Sequence, residues 1–374
     1  PLGACLSGGV DSSLIVALMQ MHSARPVKTY TIGFEDEAYN EAPFARAVAR
    51  HLGTDHTEVM VTWQDALDLV SGIADTYDEP FADSSQLPTC LVSKVARGHV
   101  TVALSGDAGD EVFGGYNRHK VALGFGRLFS ALPAPVRQGM GGLIGGVARS
   151  GLMAGVEKAL GAAGAQKRIK LIGEKASKLA AALACGTGLA FYLSLVRRDD
   201  GLSGVLPLSG ALDALDAALG VDGFSLAEKM MLFDTLTYLS GDILTKVDRA
   251  AMAVSLETRA PYLDHQLYEL AWRLPGEARI RGGTTKAVLR DILYRHVPKD
   301  LIERPKAGFG VPISAWLRGP LDSWVRDLCA DFARETPRHA GMAHAALAAL
   351  DAGSPTAHHL LWNIAMLQAW RRRW

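Results

Sequence analysis

Residues 4–16 read ACLSGGVDSSLIV, and this stretch decides the fold. A short apolar run gives way through Gly8 and Gly9 to a second apolar run beginning at Leu14. That is how a parallel strand passes into a helix, and at such a junction backbone N–H groups converge on an anion. Gly8 and Gly9 let the backbone approach closely, Ser7, Ser12 and Ser13 supply hydroxyls, and a helix starting near Asp11 adds its positive end. Phosphate is the guest that suits these groups. The pattern G-x-x-x-x-G-K-[ST] is absent, and no lysine stands where one would grip the β- and γ-phosphates, so this is a different nucleotide loop. S-G-G alone is ordinary turn chemistry; the whole S-G-G-x-D-S-S behind an apolar strand carries the reading.

Asp11 is the odd member, because a carboxylate beside phosphate oxygens is repelled unless a cation lies between them. Mg²⁺ would resolve this. A second acidic stretch, LSGDAGDEVFGGY at residues 104–116, offers Asp107, Asp110 and Glu111 behind another strand-like run. In an open parallel sheet, the carboxyl ends of neighbouring strands face one crevice. Two acidic loops meeting there, one of them shaped for phosphate, predict a Mg–nucleotide site with carboxylates left over for chemistry.

Outward from the loop, strands are expected at residues 2–6, 27–34, 56–61 and 100–104. Between them, NEAPFARAVARHLG at 40–53 has apolar residues at helical spacing, Asn40 as a candidate N-cap and Gly53 as its stop. Further helices are expected over about 64–77 and 84–97. The pattern is α/β: a parallel twisted sheet flanked by helices. After about Tyr116 the texture changes to Ala, Gly and Leu and stays helical, so the division expected is 1–120 and 121–374. The glycine-rich section 131–223 suits close helix packing and mobile connections equally. The uncharged run 179–196 reaches membrane-spanning length, but ACGTG interrupts it, which favours a buried helix pair. The closing WNIAMLQAWRRRW is an amphipathic helix whose arginines complement a helix C-terminus rather than bind RNA.

A chain of 374 residues exceeds what one hydrophobic core usually fills, and two domains are expected. Lysine plus arginine number 39 and aspartate plus glutamate 39, so no overall field draws the protein to nucleic acid or a membrane. The expected partner is a small molecule. Cys5, Cys90, Cys185 and Cys329 are widely spaced without a C-x-x-C, which speaks against zinc and for a reducing cytoplasm. His358 and His359, beside leucine and tryptophan, read as structural. The start at Pro1, with no basic-then-apolar leader, gives no sign of a signal peptide and reads as a domain cut from something longer.

SGGVDSS resembles the pyrophosphate-binding loop of the ATP-pyrophosphatase group (PP-loop), whose members split ATP into AMP and pyrophosphate. SGDAGDEVFGGY, ILTKVDRAAMAVSLETRAPYLDH, TTKAVLRDIL and RPKAGFGVP resemble, in this order, the synthetase domain of glutamine-dependent asparagine synthetase. The likeness spans nearly the whole chain and is weakest from Ala131 to Gly223. It implies an adenine nucleotide alpha hydrolase-like core at 1–120, with 121–374 completing the substrate cleft of one synthetase domain. It also implies adenylation of the aspartate side-chain carboxylate by Mg-ATP, release of pyrophosphate, and attack by ammonia to give asparagine and AMP.

On this resemblance Ser7, Gly8, Gly9, Asp11 and Ser12 hold pyrophosphate and Mg²⁺, with Asp110 as the second metal carboxylate. Leu6, Ile32, Ser105 and Gly106 border the adenosine. Lys286 neutralises charge building on the phosphates, and Lys306 acts likewise from its loop. Asp107 falls where the family has glutamate or aspartate for the ammonia-attack step; a metal or N-cap carboxylate is its alternative. Ser84, Ser85 and Gln86 in DEPFADSSQLPT stand where the family recognises its amino-acid substrate, and Lys246 and Asp248 border the same cleft. Glu257 and Arg259, in apparently helical sequence, read as structural ion pairs.

The chain departs from the family in two places. The arginine some members carry in the substrate loop has no counterpart, which leaves room for another acceptor, as in β-lactam synthetase relatives or amidotransferases acting on cell-surface sugars. No glutaminase domain with an N-terminal cysteine nucleophile is present, and Cys5 reads as core. An N-terminal glutaminase domain is therefore an expected partner in the intact protein, alongside aspartate, ATP and ammonia, and a homodimer is compatible with this reading. A nucleotide-binding regulator without catalysis is the reading from another class; Asp11, Asp107, Asp110 and Lys286 all being present speaks against it.

Overall fold

Strand β1 (Leu2–Cys5) lies at the centre of a five-stranded parallel sheet in the computed structural model of the chain. The structure describes residues 1–37, 39–131, 133–149, 183, 185, 187–196, 220–304, 310–354 and 356–374. The remaining strands are β2 (Lys28–Phe34), β3 (Asp55–Val61), β4 (Val102–Leu104) and β5 (Glu257–Arg259). They run in the order β3-β2-β1-β4-β5. β1 thus has β2 on one side, with Gly3 opposite Lys28, and β4 on the other, with Leu2 opposite Val102. The order reverses between β1 and β4, and that switch point opens a crevice at their carboxyl ends.

The four strands expected near the N-terminus are present, each within two residues of its expected limits. β5 was read as helix, and this is corrected: Glu257–Arg259 pairs in parallel with β4, Val102 opposite Glu257 and Leu104 opposite Arg259. Glu257 and Arg259 do pair with each other at 2.5 Å, but as neighbours on one face of a strand, two residues apart. Three residues without apolar alternation are too short a run to outweigh the helical spacing that precedes them.

Helices cover both faces. α1 (Val10–Met21), α2 (Ala42–Leu52) and the helix Ala287–Leu293 bury Leu6, Leu14, Val16, Val48 and Leu293 in one core. α3 (Trp63–Val70), α4 (Gln86–Arg97) and the C-terminal helices Asp322–Glu335, Ala340–Asp351 and Ala357–Arg373 bury Ile32, Phe34, Leu87, Phe332, Leu361 and Trp362 in another. α2 ends at Gly53, whose φ of +70° is the left-handed stop expected, while Asn40 accepts from the Ala42 N–H at 3.1 Å just ahead of the helix. α3 is shorter than expected. Thr62 and Asp65 form a capping box at its start, and Gly72 breaks it before the 3₁₀ turn Ile73–Asp75.

The described residues form two compact units: one holds those within 1–113 and 234–374, the other those within 114–196 and 220–233. Within the second, Ala122, Leu189, Phe191, Tyr192 and Met230 build a small core of their own. The helix pair expected within 179–196 lies mostly outside the described residues; within them the helix Gly188–Val196 is found. No helix among the described residues is long and apolar enough to cross a membrane.

In the first unit, the π-helical segment Thr235–Leu244 leads directly into the helix Thr245–Met252. The wider turn shows in the side chains, for the Thr245 hydroxyl donates to the Ser240 carbonyl, five residues back, at 3.0 Å.

Candidate active site

The loop after β1 is fixed from within. Gly8 sits at φ +74°, and a Cβ there would lie 2.8 Å from the Ala45 nitrogen, so only glycine lets the loop press against the start of α2. The Ser7 and Ser12 hydroxyls lie 2.9 Å apart, Ser12 Oγ accepts from the Ser7 N–H at 3.2 Å, and Ser7 Oγ accepts from the Gly9 N–H at 3.3 Å. Gly9 is the extended N-cap of α1, and Asp11 stands in the first turn. The N–H end of a twelve-residue helix therefore faces the crevice with hydroxyls beside it.

The loop after β4 closes over that turn. A Cβ on Gly106 would come within 2.7 Å of the Ser12 nitrogen, and one on Gly109 within 2.5 Å of Asp11 Oδ1. The two strand exits expected to meet do so here. Lys286 reaches them from the start of the helix Ala287–Leu293, its backbone N–H donating to the Phe113 carbonyl at 3.3 Å. Its ammonium, 6% exposed, pairs with Asp11 and, at 2.7 Å, with Asp110 Oδ1. Burial works against that charge, but Asp11 and then Asp110 outweigh it and hold the ammonium well above the usual lysine range. Tyr262 Oη steadies the same turn by donating to the Asp11 carbonyl at 3.2 Å.

A second lysine repeats the arrangement. Lys246 Nζ, on a side chain 7% exposed, lies 2.5 Å from Asp83 Oδ2 and 3.3 Å from Asp242 Oδ1. Asp83 also accepts from the Ser85 N–H at 2.9 Å and from its hydroxyl at 2.7 Å. Although burial opposes its charge, Lys246 and the Ser85 donors bring the Asp83 carboxyl down to about 2. Asp242, farther from the ammonium and repelled by Asp83, is pushed up to about 7, chiefly by burial. Asp107 stands within electrostatic reach of both sets. Burial raises its pKa, the Ser105 hydroxyl and then Lys246 lower it, and Asp11 and Asp110 raise it further.

The other residues expected at the site are distributed more widely. Ser105 is buried in the loop beside Gly106 and Asp107. Leu6 and Ile32 are both buried but belong to the cores on opposite faces of the sheet. Ser84 is half-buried, and Ser85 holds Asp83. Gln86 is fully buried and turned away, donating to the Phe81 carbonyl at 3.0 Å and to Met366 Sδ at 3.4 Å. Asp248 stands on the exposed face of the helix that buries Lys246, paired with Arg249. Lys306 lies outside the described residues. Cys5 is held inert by burial and by Asp107, its thiol pushed up to about 12.

Sequence reasoning missed Asp83, Asp242 and Arg304. Arg304 donates to the Ser7 carbonyl at 3.2 Å, pairs with Glu41 at 3.1 Å and stacks on Phe44 at 4.0 Å. Asp242 precedes Lys246 by four residues, a spacing that marks helix-face pairs, and was readable. Asp83 was hidden among the serines of its loop. Among the described residues no three His, Cys, Asp or Glu side chains are arranged to hold a metal ion. Asp11 and Asp110, both meeting one ammonium, are instead a two-carboxylate oxygen set, which fits Mg²⁺ when phosphate oxygens complete its shell.

A parallel sheet whose switch point carries a glycine–serine loop, a helix N-terminus and lysine-bridged aspartates defines an α/β domain of the nucleotide-hydrolase-like class. Within that class the chain belongs to the asparagine synthase family, whose sequence model matches residues 1–372. It is 32% identical over 333 residues to asparagine synthetase [glutamine-hydrolyzing] 1 of Bacillus subtilis, covering 88% of this chain and 49% of that protein. It is 36% identical over 326 residues to a putative asparagine synthetase [glutamine-hydrolyzing] of Mycobacterium bovis, covering 87% and 47%. An asparagine synthetase [glutamine-hydrolyzing] of Pongo abelii is 26% identical over 84% of this chain and 40% of its own length. The chain spans about half the length of the first two of these relatives.

Proposed function

We propose that this chain is the carbon–nitrogen ligase part of an ATP-dependent asparagine synthetase, and the observation that carries the reading is Lys286 bridging Asp11 and Asp110 at the exits of β1 and β4. The side-chain carboxylate of aspartate attacks the α-phosphorus of ATP, and pyrophosphate leaves. Ser7, Gly8, Gly9 and Ser12 hold the departing pyrophosphate through hydroxyls and N–H groups, and Lys286 meets its growing charge. Leu6, Ile32, Ser105 and Gly106 border the adenosine. Mg²⁺, bound by Asp11 and Asp110, would neutralise phosphate charge. Ammonia then forms the new C–N bond to the acyl carbon, AMP leaves, and Asp107 takes the proton shed by nitrogen. Its raised pKa suits that task. Lys246, Ser84 and Ser85 line or support the amino-acid side of the cleft, with Asp248 and Lys306 at its borders, while Gln86 packs behind it.

Further parts of the same proposal are a glutamine-hydrolysing domain supplying ammonia in the intact protein, as the relatives' names suggest, and a cytoplasmic location, which the four free cysteines suit. The division into a core at 1–120 and a cleft-completing region at 121–374 belongs with it. The test is release of AMP and pyrophosphate from Mg-ATP with L-aspartate and ammonium, with asparagine measured in the same mixture. AMP and asparagine in equal amounts are expected; AMP formation that depends on another carboxylate and not on aspartate would overturn the assignment of substrate.

A further inference from the structure

Five aspartates and two lysines surround the crevice, and the imbalance is uneven. Asp11 and Asp110 share Lys286, Asp83 and Asp242 share Lys246, and Asp107 lies within electrostatic reach of both sets. In the second set the ammonium is the most enclosed member: Lys246 is 7% exposed, whereas the Asp83 side chain is 21% and the Asp242 side chain 28% exposed, so the carboxylates are the accessible part of the cluster. Asp242 stays 3.3 Å from Lys246 while Asp83 takes the closer contact at 2.5 Å. A third acceptor adjoins them. The Tyr77 hydroxyl is buried on a side chain only 4% exposed, with the Cys90 thiol as its hydrogen-bonding neighbour, which leaves its oxygen able to accept. It stands beside Cys90 and within reach of the charges on Asp83 and Asp242. Tyr238, from the π-helical segment, adds a further oxygen near Lys246. The carboxyl of Asp242 is pushed up to about 7, first by burial and then by the charge on Asp83, which Lys246 only partly offsets.

We propose that Asp83, Asp242 and Tyr77 Oη form a subsite for a primary ammonium group, either the α-ammonium of the amino-acid substrate or the ammonium form of the nitrogen donor. Such a group carries three N–H donors and one charge, which matches two carboxylates and a hydroxyl oxygen already sharing one lysine. Ser85 fixes Asp83 in place through two hydrogen bonds, and the π-helical turn carries Asp242 to its partner. Asp83 and Asp242 are thereby binding residues of the acceptor side rather than structural ion pairs. The inference deepens the amide-forming reading above and rests on it for the identity of the ligand.

The test compares the intact protein with Asp242→Asn, which keeps the side chain's shape and leaves Lys246 its Asp83 partner. If the subsite takes the α-ammonium, the KM for aspartate in ATP–pyrophosphate exchange rises about tenfold, and the preference for aspartate over succinate, which lacks the amine, shrinks by about the same factor. If it takes the nitrogen donor, exchange is unchanged and the KM for ammonium in amide formation rises about tenfold instead. Asp242→Glu, which restores the charge, should recover most of the loss, and Tyr77→Phe should show part of it. Should Asp242→Asn no longer bind Mg-ATP, Tyr77→Phe carries the comparison. Unchanged KM values and unchanged preference in these variants would overturn the proposal. If the starting protein shows no aspartate-dependent exchange, the functional reading fails separately. The subsite is then read by Tm in ammonium chloride against tetramethylammonium chloride at equal ionic strength: a gain with ammonium that Asp242→Asn abolishes supports it, and equal Tm values in the two salts overturn it.

Discussion

At the scale of single residues, Lys286 combines two costs. Its φ of +55° is a left-handed conformation that costs a non-glycine residue about 1–2 kcal/mol, and its ammonium is buried. Asp11 and Asp110 offset both. Removing the ammonium in Lys286→Met leaves two carboxylates facing each other, so a loss of about 3–5 kcal/mol in denaturant unfolding is expected together with loss of pyrophosphate release. Activity kept at the original rate would dismiss Lys286 from the chemistry. Asp242 makes a prediction in pH. In the unfolded chain it ionises near 3.8, in the fold only near 7, so across that window the native state binds the extra proton and stability falls as pH rises. Asp83, held at about 2 against an ordinary 3.8, acts oppositely: its contribution is complete above 3.8 and is lost as pH falls toward 2. Asp242→Asn should therefore compare better with the parent protein at pH 8 than at pH 5. Tm scans of both at the two pH values check this, and a difference independent of pH would contradict it.

At the scale of elements, what could be read from the residues depended on how much of a period each element displayed. β2 and α2 are long enough to show theirs, and both were legible, α2 with its stop at Gly53, although its N-cap is Glu41 and not Asn40. The glycines and serines of residues 7–13 gave away the loop because turn geometry depends on residue type at each place. β5, at three residues, has no period to show, and its place beside β4 is decided by pairing across more than a hundred and fifty residues of chain. The π-helical turn is likewise a product of packing, so Asp242 could be seen as a partner of Lys246 while the widened turn that brings it there could not. Gln86 was misplaced for a similar reason: a polar residue in a polar loop looks exposed until Met366 is found against it.

The C-terminal helix Ala357–Arg373 separates two kinds of contribution. Its arginines were expected to serve the helix end, yet Arg373 reaches Asp75 and Arg372 reaches Asp327 at 2.9 Å and also Asp331. The Arg373–Asp75 pair is exposed on both sides and weakly stabilising. Leu361, by contrast, is fully buried. Leu361→Ala should cost about 2–5 kcal/mol, whereas Arg373→Ala should leave the unfolding midpoint nearly unmoved. Denaturant melts of the two variants decide this, and comparable losses would mean that the surface pairs hold the helix.

At the scale of the whole molecule, the sheet order is the organising fact. Because β1 and β4 are neighbours, segments a hundred residues apart deliver a phosphate-shaped loop and an acidic loop to one place, and a chain turn near Lys286 supplies the cation. The sequence showed each part and the structure shows their meeting. Gly106 and Gly109 record how close that meeting is, since any side chain on them would enter the space of Ser12 and Asp11. The two loops consequently share one set of allowed residues. In a library randomised at positions 11, 106 and 109, tolerance should be epistatic: larger residues at 109 survive only in clones that also replace Asp11 with a smaller residue, whereas 106, which meets the backbone of 11 and 12, stays glycine. Independent tolerance at the two loops, read by sequencing folded clones, would show them free to vary apart.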